Sequence, residues 1–140
     1  MAIQFFQENI EFKPKNALKL KKWIKSIVEI EKQKIIDLNF IFCNDEYLHQ
    51  INVEYLDHDT YTDIITFDNS EEKGKIESDI FISIERVKEN ADKLKIAFEQ
   101  ELHRVMIHGV LHLLGYKDKT KADKQAMRAK EDEALSVLVL

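Results

Sequence analysis

The stretch from Glu99 to Lys119, reading EQELHRVMIHGVLHLLGYKDK, constrains this chain more than any other. Val105, Met106, Leu111 and Leu114 recur at helical spacing and predict a helix held rigid by an apolar face. His108 and His112 lie four apart on it, separated by about 40° in azimuth and ~6 Å in rise, so both imidazoles can converge on one ion. Gly115 ends the helix and permits a left-handed turn that folds the following residues back beside it. Asp118 is the first acceptable ligand after that turn, because Lys117 and Lys119 cannot ligate while protonated. A catalytic zinc takes three protein ligands and leaves its fourth position to water, so His108, His112 and Asp118 are the expected metal ligands. Alone, a His-x-x-x-His pair is a weak signal, since such pairs also sit on solvated helix faces. The glycine stop and the carboxylate beyond it strengthen it. His103, five residues before His108 and about 140° round the helix, is a poor ligand.

The rest of the chain supplies an α+β frame for that helix. Ile3 to Phe12 predicts a first strand, broken by Pro14. Asn16 is the expected cap of an amphipathic helix to about Glu31, with Leu18, Trp23, Ile24 and Ile27 on its apolar side. Leu38 to Cys43 reads as a second strand, and Asn44 or Asp45 caps a helix containing Leu48, Ile51, Asn52 and Tyr55. A polar, turn-like stretch from Asp57 to Asp63 precedes a strand at Ile64 to Phe67. Glu71 to Gly74 forms a turn before a strand at Asp79 to Ser83, and helical pattern then runs from Ile84 to about Leu114, interrupted near Lys95 to Ala97. A last helix is expected from about Asp123 to Leu138. No repeat, low-complexity segment or linker divides the chain, so a small mixed sheet packed against helices is expected as one domain over residues 1–140.

Composition bounds the function. No apolar run approaches the ~18 residues of a membrane span, and Met1 to Ile10 lacks the basic start of a signal peptide. Cys43 is the only cysteine, which excludes an internal disulfide and suits a reducing cytoplasm; it is expected as a buried structural thiol. A net charge of -5 argues against gripping nucleic acid with the whole surface. Lysines cluster, however, at Lys13, Lys15, Lys19, Lys21, Lys22 and Lys25, and again at Lys117, Lys119, Lys121 and Lys124. These are solvated helix faces unless they flank the site.

The residues His108-Gly109-Val110-Leu111-His112-Leu113-Leu114-Gly115-Tyr116 resemble the signature of the YbeY family of bacterial endoribonucleases, usually His-Gly-x-Leu-His-Leu-x-Gly-Tyr-Asp-His. Ile51-Asn52-Val53-Glu54-Tyr55, Asp59 and Thr62-Asp63-Ile64-Ile65-Thr66-Phe67 are similar to an upstream motif of that family, Leu-Asn-x-x-Tyr-Arg-x-x-Asp-x-Pro-Thr-Asp-Val-Leu-Ser-Phe. Ser78 to Ser83 is similar to its Gly-Asp-Ile-x-Ile segment. The resemblance spans roughly Asn44 to Asp118 in order and spacing. It implies a zincin-like helix, one zinc per chain, single-stranded or ribosomal RNA as substrate, and the ribosome or its assembly factors as partners. The implied role is ribosomal RNA processing, late small-subunit maturation and ribosome quality control.

Two departures bear on chemistry, and a third is conformational. Asp118 stands where the family has its third metal histidine. A carboxylate is an acceptable zinc ligand, but it lowers the site's charge from +2 to +1, so bound water is less acidified and the pH optimum should lie higher. Asp118→His should therefore move the acid limb of the pH–rate profile downward; an unmoved limb counts against this. Leu56 replaces an arginine expected to face the site, and leucine cannot bind phosphate, so His58, Lys117 or another cation must substitute or catalysis is weaker. Tyr61 replaces a proline, a change read as conformational.

Beyond the metal-bound water the catalytic groups stay open, with His58, Asp63 and Lys117 as candidates. His58, between Asp57 and Asp59, is either a proton-holding imidazole or an exposed loop histidine. His49 is expected on an ordinary helix surface. Two other functions compete: a ribosome-assembly binding module with a structural zinc, and a zinc metallopeptidase. Metallopeptidases place a general-base glutamate after the first histidine, where this chain has Gly109, although Asp63 or Glu99 could in principle reach the site.

Overall fold

In the computed structural model, which describes residues 2–140, nine elements follow one another: β1 (Ile3–Glu8), α1 (Ala17–Ile30), β2 (Lys34–Cys43), α2 (Asp45–Leu56), β3 (Ile64–Asp68), β4 (Lys75–Ser83), α3 (Ile84–Leu94), α4 (Phe98–Leu113) and α5 (Lys121–Ser136). The four strands form one mixed sheet in the order β1-β2-β4-β3. β1, β2 and β4 run parallel, and β3 lies antiparallel along the edge of β4. This is the α+β architecture expected from the sequence. Among the described residues no helix is long and apolar enough to cross a membrane.

Strand alternation sorts side chains onto the two faces of the sheet. Leu38, Phe40 and Phe42 of β2, with Ile76, Ile80 and Ile82 of β4, pack with α1 and α4 in the main core. On the other face Cys43, Ile65, Phe67 and Phe81 pack with Leu48 and Ile51 of α2. Burial there pushes the Cys43 thiol up from its ordinary 9.0 to about 12. The neutral thiol should therefore resist alkylating reagents at pH 8 until the chain unfolds, and rapid labelling of native protein would contradict this burial. The unfolded thiol ionises first, so its contribution to stability is full below about pH 9 and falls toward pH 12.

The sequence underestimated two strands. β2 starts at Lys34 rather than Leu38, and β4 at Lys75 rather than Asp79, and the added residues pair with each other from Lys34↔Lys75 onward. Lys34, Asp37, Lys75 and Glu77 hid them by interrupting the apolar pattern, although Ile35 and Ile76 reach the core. β1, conversely, stops at Glu8, because Asn9 adopts a left-handed φ of 58°. Asn16 precedes α1 as foreseen but is itself left-handed and makes no side-chain cap. The interruption at Lys95 to Ala97 separates two helices: Lys95, at φ 58°, ends α3, and the Gln100 side chain accepts from Ala97 N as α4 begins.

α4 crosses the sheet near β3 and β4 because Gly109 lets it. A Cβ there would stand 2.9 Å from Ile64 Cδ1 and 3.1 Å from Ile80 Cδ1. That approach sets the histidine-bearing face beside the β3 edge. At the far edge, Lys21 lies over the Phe5 ring of β1 at 5.0 Å, so this part of the α1 lysine run sits across the sheet from β3.

Candidate metal centre

Gly115, at φ 106°, turns the chain back after α4. Tyr116 then ties the returning loop down, its hydroxyl donating to Glu31 at the end of α1. Thr120 and Asp123 cap α5 reciprocally, fixing the loop's other end. Between these anchors Asp118 faces the histidine pair.

The His108 and His112 Nε2 atoms are 3.1 Å apart, and Asp118 Oδ2 lies 3.4 Å from the first and 3.3 Å from the second. Ligands at ~2.0–2.2 Å around a tetrahedral zinc stand roughly 3.3–3.5 Å from one another. Two imidazoles and a carboxylate at that spacing fit a metal ion, and the three form the one such group among the described residues. Their side chains are 24 %, 33 % and 40 % exposed respectively, so the centre opens to solvent.

The residue that holds His108 is absent from the ligands expected from the sequence. Glu131 Oε2 lies 2.6 Å from His108 Nδ1, and Glu131 Oε1 accepts from Arg104 Nη1 at 2.9 Å. Glu131 is only 4 % exposed. Burial alone would raise its carboxyl, but bonds from His108 and Arg104 outweigh that and hold it below the usual range. An ionised carboxylate can only accept, so Nδ1 carries a proton, and in the neutral ring Nε2 presents its lone pair toward His112 and Asp118. This is the carboxylate–histidine arrangement that orients metal-binding imidazoles. For the imidazole itself, burial is overcome by the Glu131 bond and charge, with Asp118 and Asp63 adding, so His108 is raised above its ordinary value. The surroundings favour positive charge at this point. The signal was present in periodicity: Glu131 lies at helical spacing between the buried Met127 and Ala134.

Two clefts meet at the trio. One, about 570 Å³, is lined by His108, His112 and Asp118 with Asn52, Leu56 and His58 among others. Leu56 therefore does face the site, and among the lining residues outside the trio only His58 can carry positive charge. The other, about 350 Å³, brings Arg104, Lys124 and Arg128 alongside His108 and Asp118. Asp63 lines both, and burial raises its carboxyl despite the opposing pull of local backbone bonds and His108. Lys117 is exposed and lines neither cleft. Glu99 is paired with Lys15 at the opposite end of α4. His103 is buried edge-on to Trp23, and burial lowers its imidazole.

The loop carrying His58 is pinned by residues read from the sequence as incidental. His49 Nε2 is 2.8 Å from Asp59 Oδ1, and its ring stacks on Tyr61 with centroids 4.1 Å apart. Arg86, itself bonded to Asp45 at 2.7 Å, covers the Tyr61 ring at 5.5 Å. His49 is thus a loop anchor rather than an ordinary surface residue. Asn52 adds a bond to the Thr60 carbonyl at 2.8 Å.

An α+β domain presenting two histidines from one helix and a carboxylate from the following loop, open to solvent, is of a hydrolase class with a group that could hold a metal ion. Residues 2–139 match the family model described as Endoribonuclease YbeY. The chain belongs to this family of nucleases, which hydrolyse RNA phosphodiester bonds. It is 56 % identical to the Endoribonuclease YbeY of Cytophaga hutchinsonii over 135 residues, covering 96 % of this chain and 94 % of that one. Identity to the Christiangramia forsetii protein of the same name is 50 %, covering 96 % and 93 %. The solution structure of a Thermotoga maritima protein superposes with a TM-score of 0.64 at 28 % identity, covering 96 % of this chain and 89 % of that chain.

Proposed function

We propose that this chain is a zinc-dependent, single-strand-specific endoribonuclease of ribosomal RNA processing, acting in the cytoplasm in late small-subunit maturation and ribosome quality control. The convergence of His108 Nε2, His112 Nε2 and Asp118 Oδ2 at 3.1–3.4 Å carries this reading. These three hold the ion, which when bound polarises a phosphoryl oxygen and acidifies water. The chain's own groups do the rest. Glu131 fixes the His108 tautomer. Lys124 and Arg128 attract the RNA backbone along the smaller cleft. Asp63, whose carboxyl burial raises above its ordinary value, stands beside His108, placed to exchange a proton with the leaving oxygen.

Two observations weigh against the competitors. A structural zinc is normally enclosed by four protein ligands, whereas this trio is partly exposed. A peptidase glutamate at position 109 would point into Ile64 and Ile80 of the sheet rather than toward the ion.

Metal-loaded protein incubated with single-stranded RNA, the matching duplex and a peptide library separates the three. Cleavage of the single strand alone is expected, abolished by chelation and restored by zinc. RNA bound but left intact would identify a binding module, and cut peptides a peptidase.

A further inference from the structure

Glu101, on the second turn of α4, is 6 % exposed, and its Oε1 has no hydrogen-bond partner. A buried, unpaired carboxyl oxygen costs stability, and a leucine at the same position would not. The nearest cations do not relieve it. Arg104 is committed to Glu131 and Asp132 at 2.9 and 2.7 Å, and Arg128 leans toward Glu131 at 3.9 Å. Glu101 lines the smaller cleft, whose walls include Ile64, Leu94, Val105 and Met127. It precedes His108 by seven residues, on the same helix face and roughly 10 Å along the axis. The cleft thus joins a metal-binding end, a cationic flank at Lys124 and Arg128, apolar walls, and the Glu101 carboxyl group two turns away. A nucleoside has this pattern: a charged phosphate, a flat apolar face and a polar base edge.

We infer that this cleft is a nucleobase subsite in which the Glu101 carboxylate accepts a hydrogen bond from the exocyclic amine of a base flanking the cleaved bond. The inference rests on the nuclease reading above and adds base selectivity to it. A carboxylate accepts and does not donate, so it matches the amine of cytosine, adenine or guanine and opposes the O4 carbonyl of uracil. Apolar walls fix the base plane, and Lys124 and Arg128 hold the adjoining phosphate without reading sequence.

The test pairs a binding measurement with a cleavage map. Fluorescence anisotropy of short oligo(C) and oligo(U) on the metal-free full chain should show about tenfold tighter binding of oligo(C), the discrimination of one hydrogen-bonded base contact. E101Q, which can both donate and accept, should bring the ratio near one. E101L should do the same while raising the melting temperature, which separates lost recognition from lost folding. Breaks made by metal-loaded protein in a random single-stranded pool should show uracil depleted at one position beside the cut, and E101Q should fill it. Equal binding of both oligomers by the unsubstituted chain, or a ratio that neither substitution moves, overturns the subsite. A pool left uncut while the Glu101-dependent preference persists overturns the nuclease reading and leaves the subsite standing.

Discussion

His112→Ala is expected to abolish metal-dependent RNA cleavage while leaving a folded protein. His112 is one-third exposed at the last turn of α4, and its ring nitrogen meets only His108 Nε2 and Asp118 Oδ2. Neither contact supports the core, so stability should change by no more than about 0.5 kcal/mol, as at other surface positions. The ion, by contrast, loses one of three protein ligands. Loss of an outer partner of a ligand already costs roughly 10–100-fold in metal affinity, and loss of the ligand itself should exceed that. Zinc competition with a chromophoric chelator, a thermal melt and RNA cleavage together check it. A variant that still binds zinc at full affinity and cuts RNA would remove the basis of the proposed chemistry.

Removing Glu131 should have a larger structural effect than removing a ligand. Glu131→Ala strips His108 Nδ1 of its acceptor and leaves Arg104, largely buried, with Asp132 alone. Breaking a buried ion pair by deleting one partner costs about 3–5 kcal/mol; the lower end is expected here, because Asp132 and solvent still reach Arg104. Zinc affinity should fall by roughly 10–100-fold, since the imidazole loses its orientation and tautomer. Glu131→Gln separates the two effects. Its amide oxygen can still accept from Nδ1, so metal affinity should be largely kept, while loss of the charge beside Arg104 still lowers the melting temperature. If both variants bind zinc as tightly as the parent chain, Glu131 is only a packing residue.

Local sequence pattern carried the elements and the three candidate ligands. Periodicity over Ile84–Leu114, the left-handed turn at Gly115 and the carboxylate at Asp118 are all short-range features, and four-residue spacing on a helix fixes a distance without knowledge of the fold. The same logic exposed the break at Lys95. It failed at Lys34 and Lys75, where pairing carried β2 and β4 through segments in which buried isoleucines stand among charged residues. It also ranked Lys117 above Lys124 and Arg128, because adjacence in sequence says nothing about which side of a loop faces a cleft.

The amino-acid sequence by itself determined the α+β order, the histidine-bearing helix and the family resemblance, because each is written in residues close together along the chain. Only the tertiary structure decided that Glu131 meets His108 across 23 positions and that Gly109 presses α4 onto β3 and β4. It alone also revealed that Glu101 is buried without a partner. Those facts depend on which faces of distant elements are brought into contact. That choice is made by the collective burial of the core, and no local spacing encodes it.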